Sequence, residues 1–351
     1  MDSIAHPDKL PPEPPDTWHA FSMKDAYQPV DPASYIVEGL FEVGTLNILY
    51  GAPGSLKSFL MQDLAVCVAL GIPWLPPAPW GGGGTPIPTI KAPVVWVDFD
   101  MGHRRTLNRF GALGHHYKAP DDAPVDIYTM PRPRLNAADL VHVDLLIKRC
   151  EGAGLVVIDN LRTISGGIDE NSSLMSGVMD GLRELTERTE AAVVPIHHER
   201  KSGAFKGRAG EALRGHSSIE QSLDLALLVE REPFSDIITI KSTKTRGTEV
   251  LPFSSVFAYE NNKENEKILE EACFYSVMSE DNESNHAIER EIKLALKGNP
   301  LNQTSLTNAV KAKLEGVGLN RITNQIRKME SNDQVYVTVG AHNAKIYSLP
   351  V

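Results

Sequence analysis

The sequence lacks the features of a secreted, membrane-spanning or metal-stapled chain. Its three cysteines, Cys67, Cys150 and Cys273, stand far apart with no CxxC pair. That argues against a disulfide framework or a zinc site, and for buried thiols in a reducing compartment. No apolar run reaches the roughly 18 residues that a membrane span needs, so no membrane association is expected. The start, MDSIAHPDKLPPEPPD, is acidic and proline-rich, unlike a secretory signal or a transit peptide, and the expected location is cytoplasmic. Positive charge is in deficit: 35 Lys and Arg face 45 Asp and Glu, a net charge of −10. This argues against indiscriminate coating of nucleic acid but leaves room for a local basic patch. No internal repeat is visible.

What is there is a chain of 351 residues, long enough for one large core and a small second domain. Residues 1–34 carry many prolines and little periodicity, as in a flexible or loosely docked arm. From 35 to about 259, short apolar strands (GTLNILYG, APVVWVDFD, AGLVVIDN, AAVVPIHHE) alternate with helical patterns. That alternation predicts an α/β domain whose mainly parallel sheet is covered on both faces. Two later strands, LDLALLVERE and DIITIKSTKTRG, are expected to join by a turn near Pro233. Residues 260–283 hold eight acids against two bases and read as an acidic linker or solvated stretch. Residues 284–351 predict three helices, the second capped by Thr304 or Ser305, and then a hairpin. This is the order of a winged helix-turn-helix.

The stretch GAPGSLKS, residues 51–58, lies between a strand and a helix. It matches the phosphate-loop pattern G-x-x-x-x-G-K-[ST] except that Leu56 stands where glycine is usual. Such a loop aims backbone N–H groups and a helix N-terminus at phosphates. The expected nucleotide contacts are Gly51, Ala52, Pro53, Gly54, Ser55, Leu56, Lys57, Ser58 and Phe59, with Lys57 neutralising phosphate charge and Ser58 holding Mg²⁺. If position 56 must take a positive φ, leucine there costs about 1–2 kcal/mol, and Leu56→Gly should then improve binding or turnover; no change would mean that the loop has accommodated the leucine. LVVIDN ends a buried strand on Asp159, the placement of a Walker B acid that supports Mg²⁺. VVWVDFD places Asp98 and Asp100 two apart, on one side if the strand runs that far, and one of them could polarise an attacking water. VVPIHHE ends on His197 and His198, which point to opposite sides; one is a candidate to sense the terminal phosphate.

This order of motifs resembles that of the RecA-like ATPases, in particular the hexameric replicative helicases of the DnaB type and the plasmid helicases of the RepA type. LRGHSSIEQSLDLALLVER (213–231) resembles their L-R-x-S-x-x-I-E-Q-x-A-D segment through Leu213, Arg214, Ile219, Glu220, Gln221 and Asp224, with His216 at the family's serine. KTRG (244–247) resembles their K-x-R-x-G. The resemblance covers about 36–250 and implies a RecA-like P-loop core that binds ATP and Mg²⁺. It implies Asp100 as the catalytic carboxylate, where the family more often has Glu, and a His pair like that of the RepA type, with His198 as the candidate. It also implies Lys244 and Arg246 acting in trans on a neighbouring subunit's nucleotide, hence a homo-oligomer, with a hexamer as the family's form. The basic, glycine-rich loop 201–215 would offer Lys201, Lys206 and Arg208 to single-stranded DNA.

Residues 284–351 hold nine basic and five acidic side chains, +4, and the other 283 residues carry −14. That asymmetry points to the tail as a DNA-contacting module. Its third helix carries Arg321, Asn324, Gln325, Arg327 and Lys328 as candidates for phosphate and base-edge contacts, and His342 and Lys345 flank the wing tip. Three functions are open at this point: a DNA motor driven by ATP hydrolysis in the replication of a plasmid, phage or mobile element, a DNA-binding regulator that uses ATP as a slow assembly switch, or a recombinase-like filament, against which the short proline-rich arm argues.

Overall fold

The structure is a computed structural model. It describes residues 20–29, 32–80, 84–198, 217–231, 235–265, 268–278, 280–314, 319–331, 334–340 and 345–350. Two units are present, 1–33 and 34–351. The described part of the first holds one helical turn, α1 (Met23–Ala26). Ser22 caps it reciprocally: its hydroxyl accepts from the Asp25 N–H, and the Asp25 carboxylate accepts from the Ser22 N–H at 2.8 Å, a capping box.

The second unit opens with a short antiparallel pair, β1 (Tyr35–Val37) and β2 (Phe41–Glu42). Strand and helix then alternate: β3 (Asn47–Gly51), α2 (Lys57–Leu70), β4 (Val94–Asp98), α3 (His103–Tyr117), β5 (Val125–Thr129), α4 (Leu140–Cys150), β6 (Leu155–Asp159), α5 (Met175–Thr189), β7 (Ala192–His198), α6 (Ser217–Ser222) and β8 (Leu225–Arg231). Three more strands follow, β9 (Ile237–Thr245), β10 (Phe253–Asn261) and β11 (Leu269–Val277). They form one nine-stranded sheet in the order β11-β10-β9-β8-β3-β7-β6-β4-β5. The six strands from β8 to β5 in that order are parallel, and β9, β10 and β11 extend them antiparallel.

The apolar runs read as strands are buried on both faces, and their alternate residues divide between two cores. Leu49, Val94, Trp96 and Val157 pack with α2 and α3. Ile48, Tyr50, Val95, Val97, Val156 and Ile158 pack with α4, α5 and α6. This two-sided burial is why those strands show no polar alternation. Helix α2 is enclosed almost all round. Phe59 on it packs against Phe257 of β10 and Phe274 of β11, with ring centroids 4.7 and 6.0 Å apart. Asp63, one turn further on, is fully buried. It accepts from Trp74 Nε1 (3.0 Å), Tyr117 OH (3.0 Å) and the Phe274 N–H (3.3 Å), and burial still pushes its carboxyl up to about 7.

The acidic linker expected at 260–283 is corrected by β11, which pairs with β10 from Ser254–Val277 to Asn261–Leu269. The sheet therefore runs to 277 rather than ending near 259. Glu260 lies on β10, Glu264 in the turn, Glu270 and Glu271 on the exposed start of β11, and Glu280, Asp281 and Glu283 on the helix that follows, while Ala272, Cys273 and Phe274 are buried over α2. A charge count over the whole stretch averages these environments. The turn near Pro233 lies outside the described residues.

The tail comprises α7 (Glu280–Leu296), β12 (Leu301–Asn302), α8 (Gln303–Lys311), α9 (Leu319–Ser331), β13 (Tyr336–Val339) and β14 (Lys345–Ser348), with the strands in the order β12-β14-β13. Ile288, Ile292, Leu306, Ile322, Ile326 and Tyr347 belong to a separate hydrophobic cluster. The cap of α8 is Asn302, whose side chain accepts from the Ser305 N–H at 2.8 Å, not Thr304 or Ser305. Asparagine caps as well as serine, and the helix simply starts one turn earlier than its apolar pattern. Among the described residues no helix is long and apolar enough to cross a membrane.

Candidate functional site

The parallel strands align their C-terminal ends. Gly51 of β3 lies opposite His198 of β7, and Asp98 of β4 opposite Asp159 of β6. Clefts at this edge of an open α/β sheet, where the strand order reverses beside β3, are the usual ligand position of such folds.

The loop between β3 and α2 is built on backbone conformations that the sequence only partly advertises. Gly51 has φ 153°, and a Cβ there would meet the Val229 carbonyl oxygen at 2.3 Å, so the position admits only glycine. Leu56 sits at φ 65°, ψ 14°, in the left-handed region, as the N-cap of α2. The missing glycine is thus a real departure: leucine occupies a conformation that disfavours it. Lys57 is 3% exposed. Its ammonium donates to the carbonyls of Gly51 and Ala52, both at 2.8 Å, and to Ser55 Oγ at 3.3 Å. Ala52, Pro53 and Gly54 form the exposed arc of the loop, and Ser58 opens α2 half-buried. Phe59 is packed under the Arg109 guanidinium, 4.9 Å from the ring centroid, so it serves the core rather than the cradle.

Asp159 is fully buried; no backbone N–H reaches its carboxylate oxygens, and the Ser58 hydroxyl is its polar neighbour. Burial pushes its carboxyl up to about 6; the Ser58 hydroxyl and Lys57 moderate the rise, and Asp100 and Asp98 add to it. A buried carboxylate facing a serine hydroxyl is a donor set that fits a hard divalent cation such as Mg²⁺.

Asp98 and Asp100 do not act as a pair on one strand face. β4 ends at Asp98. The Asp98 carboxylate accepts from the N–H groups of Asp100 (2.8 Å), Met101 (2.9 Å) and Gly102 (2.9 Å), and from the Thr106 hydroxyl. It is consumed in fixing the turn into α3. Asp100, released by that turn, is half exposed, with Oδ2 3.7 Å from His198 Nε2. Burial, then Lys57, hold the His198 imidazole below its ordinary value. Its neighbour His197 faces the other way, 4% exposed and 3.9 Å from Glu170. Burial, with His198 and Lys57, drives it down to about 4, so both rings are neutral at pH 7.

Three residues at this edge were not visible in the sequence pattern. Arg231, at the end of β8, donates to the Gly54 carbonyl at 3.2 Å and so ties down the loop. Arg109 on α3 bonds Met101 Sδ at 2.7 Å; burial lowers its guanidinium's value while Asp159 raises it. Glu170 approaches His197 from the segment after β6. Each depends on tertiary contact between separated elements, for which no local spacing exists.

Lys244 and Arg246 lie at the other end of the sheet. Thr245 pairs with Leu225, and Asn47 also pairs with Leu225. That places them beside the start of β3, whose five residues separate that end from the phosphate loop by about 16 Å. Arg246 pairs with Asp224 Oδ1 at 3.1 Å and also donates to the Gln221 carbonyl. Asp224 Oδ2 takes the Leu46 N–H (2.8 Å) and Arg183 (2.7 Å). Lys244 donates to the Glu220 carbonyl, and burial lowers its value. Neither side chain is placed with its own chain's Lys57.

Lys201, Lys206, Arg208 and His342 lie outside the described residues, as do the side chains of Arg321, Asn324 and Lys328. Arg327 is exposed on α9. Gln325 is a correction: it is 5% exposed and donates to Glu289 Oε1 at 2.6 Å, so it joins α9 to α7 and is not free to read a base. Lys345 is held by Glu330 at 2.6 Å.

A parallel-sheet edge carrying this loop, its lysine and a strand-end buried acid defines a RecA-like P-loop nucleotide-binding core. Residues 11–204 match the AAA domain family, and the chain belongs to it, with the ATP-binding capability that membership brings. Among solved structures, the chain is similar to one described as an ATPase domain, at 12% identity and TM-score 0.44 over 61% of this chain and 81% of that one. It is also similar to a DnaB-like replicative helicase solved for its interactions with primase, at 12% identity and TM-score 0.48, over 67% of this chain and 64% of that one.

Proposed function

We propose that the protein is an ATP-hydrolysing RecA-fold motor that acts on DNA as a homo-oligomeric ring, with residues from about 284 forming a winged-helix module. The observation that carries this reading is the convergence of Lys57, Asp159 and the Asp100–His198 pair on one sheet edge, with Lys244 and Arg246 at the opposite end. In use, Lys57 exchanges its loop carbonyls for phosphate oxygens, Ser58 and Asp159 hold Mg²⁺, and Asp100 orients the attacking water with His198 as its partner. Mg²⁺ supplies charge neutralisation at the phosphates. Arg246 and Lys244 act on the nucleotide of an adjoining subunit, since their own is out of reach, and stabilise transferred charge. Single-stranded DNA is the partner of the 201–215 loop, and the tail contributes Arg321, Asn324, Arg327 and Lys328 to DNA contact. The test is ATP turnover with and without single-stranded DNA in Lys57→Ala, Asp100→Ala and Arg246→Ala.

One observation favours a second reading, an ATP-dependent assembly switch with slow hydrolysis. Lys57 is tied to its own loop through the Gly51 and Ala52 carbonyls. Nucleotide-dependent assembly with negligible turnover is its signature.

A further inference from the structure

A cavity of about 410 Å³ opens between the loop after β5 and the outer face of α4. No residue of the nucleotide site lines it. Its volume suits a bound side chain or small molecule. The floor is apolar, built by Val97, Phe99, Tyr128, Leu135 and Leu146. Arg132 and Arg149 stand at its rim, and Arg134 and Lys148 follow on the same two segments, all four exposed. Among the described residues, none of these four cations has a hydrogen bond or ion pair through its side chain. Of the acids at and on α4, Asp144 is bonded to Arg188, and Asp139 caps the helix and faces His142 at 4.0 Å. In a chain of net charge −10, this is a concentrated positive rim around an apolar hole.

The surface beside it is apolar as well. Leu140, Val141 and Leu145 of α4 are 69%, 74% and 43% exposed, and Met130 is 41% exposed. Large exposed aliphatics around a concave apolar floor mark a protein contact rather than a nucleic-acid track. Single strands are held by aromatic platforms on which bases stack, and here one of the two rings, Phe99, is 8% exposed and forms part of the floor.

We propose that this cavity is a docking site for an acidic peptide segment of a partner protein. A leucine or aromatic anchor enters the cavity, and flanking carboxylates pair with Arg132 and Arg149. The four exposed cations set the partner's charge, and the apolar floor sets its anchor. The proposal does not depend on the nucleotide site.

The test is fluorescence anisotropy of the full chain with a labelled peptide of Glu and Asp residues flanking a central Leu-Phe pair. Binding should weaken by about tenfold or more when Leu-Phe becomes Ala-Ala, when the acids become lysines, and in the variant Arg132→Glu/Arg149→Glu. Leu145→Asp should weaken it too. Lys297→Glu, on the turn after α7, should leave it unchanged. The milder Arg132→Gln/Arg149→Gln pair, with a thermal unfolding transition matching wild type, separates lost docking from lost folding. No binding of the acidic peptide, or equal binding of the lysine peptide, overturns the proposal. So does an oligothymidine that binds here in its place and is lost with the same substitutions.

Discussion

Arg246 pairs with Asp224 at 3.1 Å, at the end of the sheet opposite Lys57. An arginine so placed cannot serve the phosphate loop of its own chain, and its partner Asp224 also anchors the start of β3 through the Leu46 N–H. The two residues therefore separate by substitution. Arg246→Ala should cost less than about 1 kcal/mol of stability, because the ion pair is half exposed. It should lower turnover by about 10³-fold if the side chain acts in trans. Asp224→Ala leaves Arg183 and the Leu46 N–H without their acceptor and should destabilise by roughly 2–3 kcal/mol. Mixing Lys57→Ala with Arg246→Ala protein should restore part of the turnover, since an interface joining one intact loop to one intact arginine can form. Thermal unfolding and mixed-subunit assays check both halves.

Leu56 already holds a left-handed conformation, with Lys57 tied into the same loop. The strain is therefore met on folding rather than on nucleotide binding. Leu56→Gly removes about 1–2 kcal/mol of backbone strain but adds unfolded-chain entropy of about 0.5–1 kcal/mol and gives up a partly buried side chain. The expected outcome is a stability change within about 1 kcal/mol and an ATP affinity within about threefold of wild type. Of the two outcomes the sequence leaves open, a gain in binding or turnover and no change, this is the second. Calorimetric titration alongside thermal unfolding separates the two.

Asp159 is buried, and its carboxyl is pushed up to about 6 from 3.8. Between those values the folded chain binds more protons than the unfolded one, so stability falls as pH rises through the window. Above pH 6 the ionised group is a constant cost of roughly 2–3 kcal/mol. Asp159→Asn should therefore be more heat-stable than wild type at pH 7.5. Most of the difference should be gone by pH 4, while turnover is lost at every pH. Melting curves of the two proteins across that range read the sign directly.

In the tail, Arg327→Ala should weaken DNA binding uniformly across sequences and reduce the salt slope by about one, with melting unchanged. Gln325→Leu should instead disturb the α7–α9 contact and lower the melting temperature, because it removes the bond to Glu289. Binding titrations at several salt concentrations distinguish these roles.

How far the sequence could be read followed the range of the interactions concerned. The phosphate loop and the Asp159 strand were legible because strand and turn chemistry is local. Asp98 looked equivalent to Asp100 until the turn into α3 consumed it. Arg231 was hidden because its target, the Gly54 carbonyl, is 177 residues away. β11 was hidden because its acids lie at one end and its buried residues at the other. Gln325 looked like a base reader because helix position alone does not show which face α7 covers.

The central claim is that the edge built from Lys57, Asp159 and Asp100 hydrolyses ATP in the service of DNA. Steady-state ATP turnover of the full chain, measured with and without single-stranded DNA in wild type and Lys57→Ala, tests it most directly. The account predicts turnover that DNA stimulates and that Lys57→Ala abolishes. Turnover indifferent to DNA, or surviving the loss of Lys57, would contradict it.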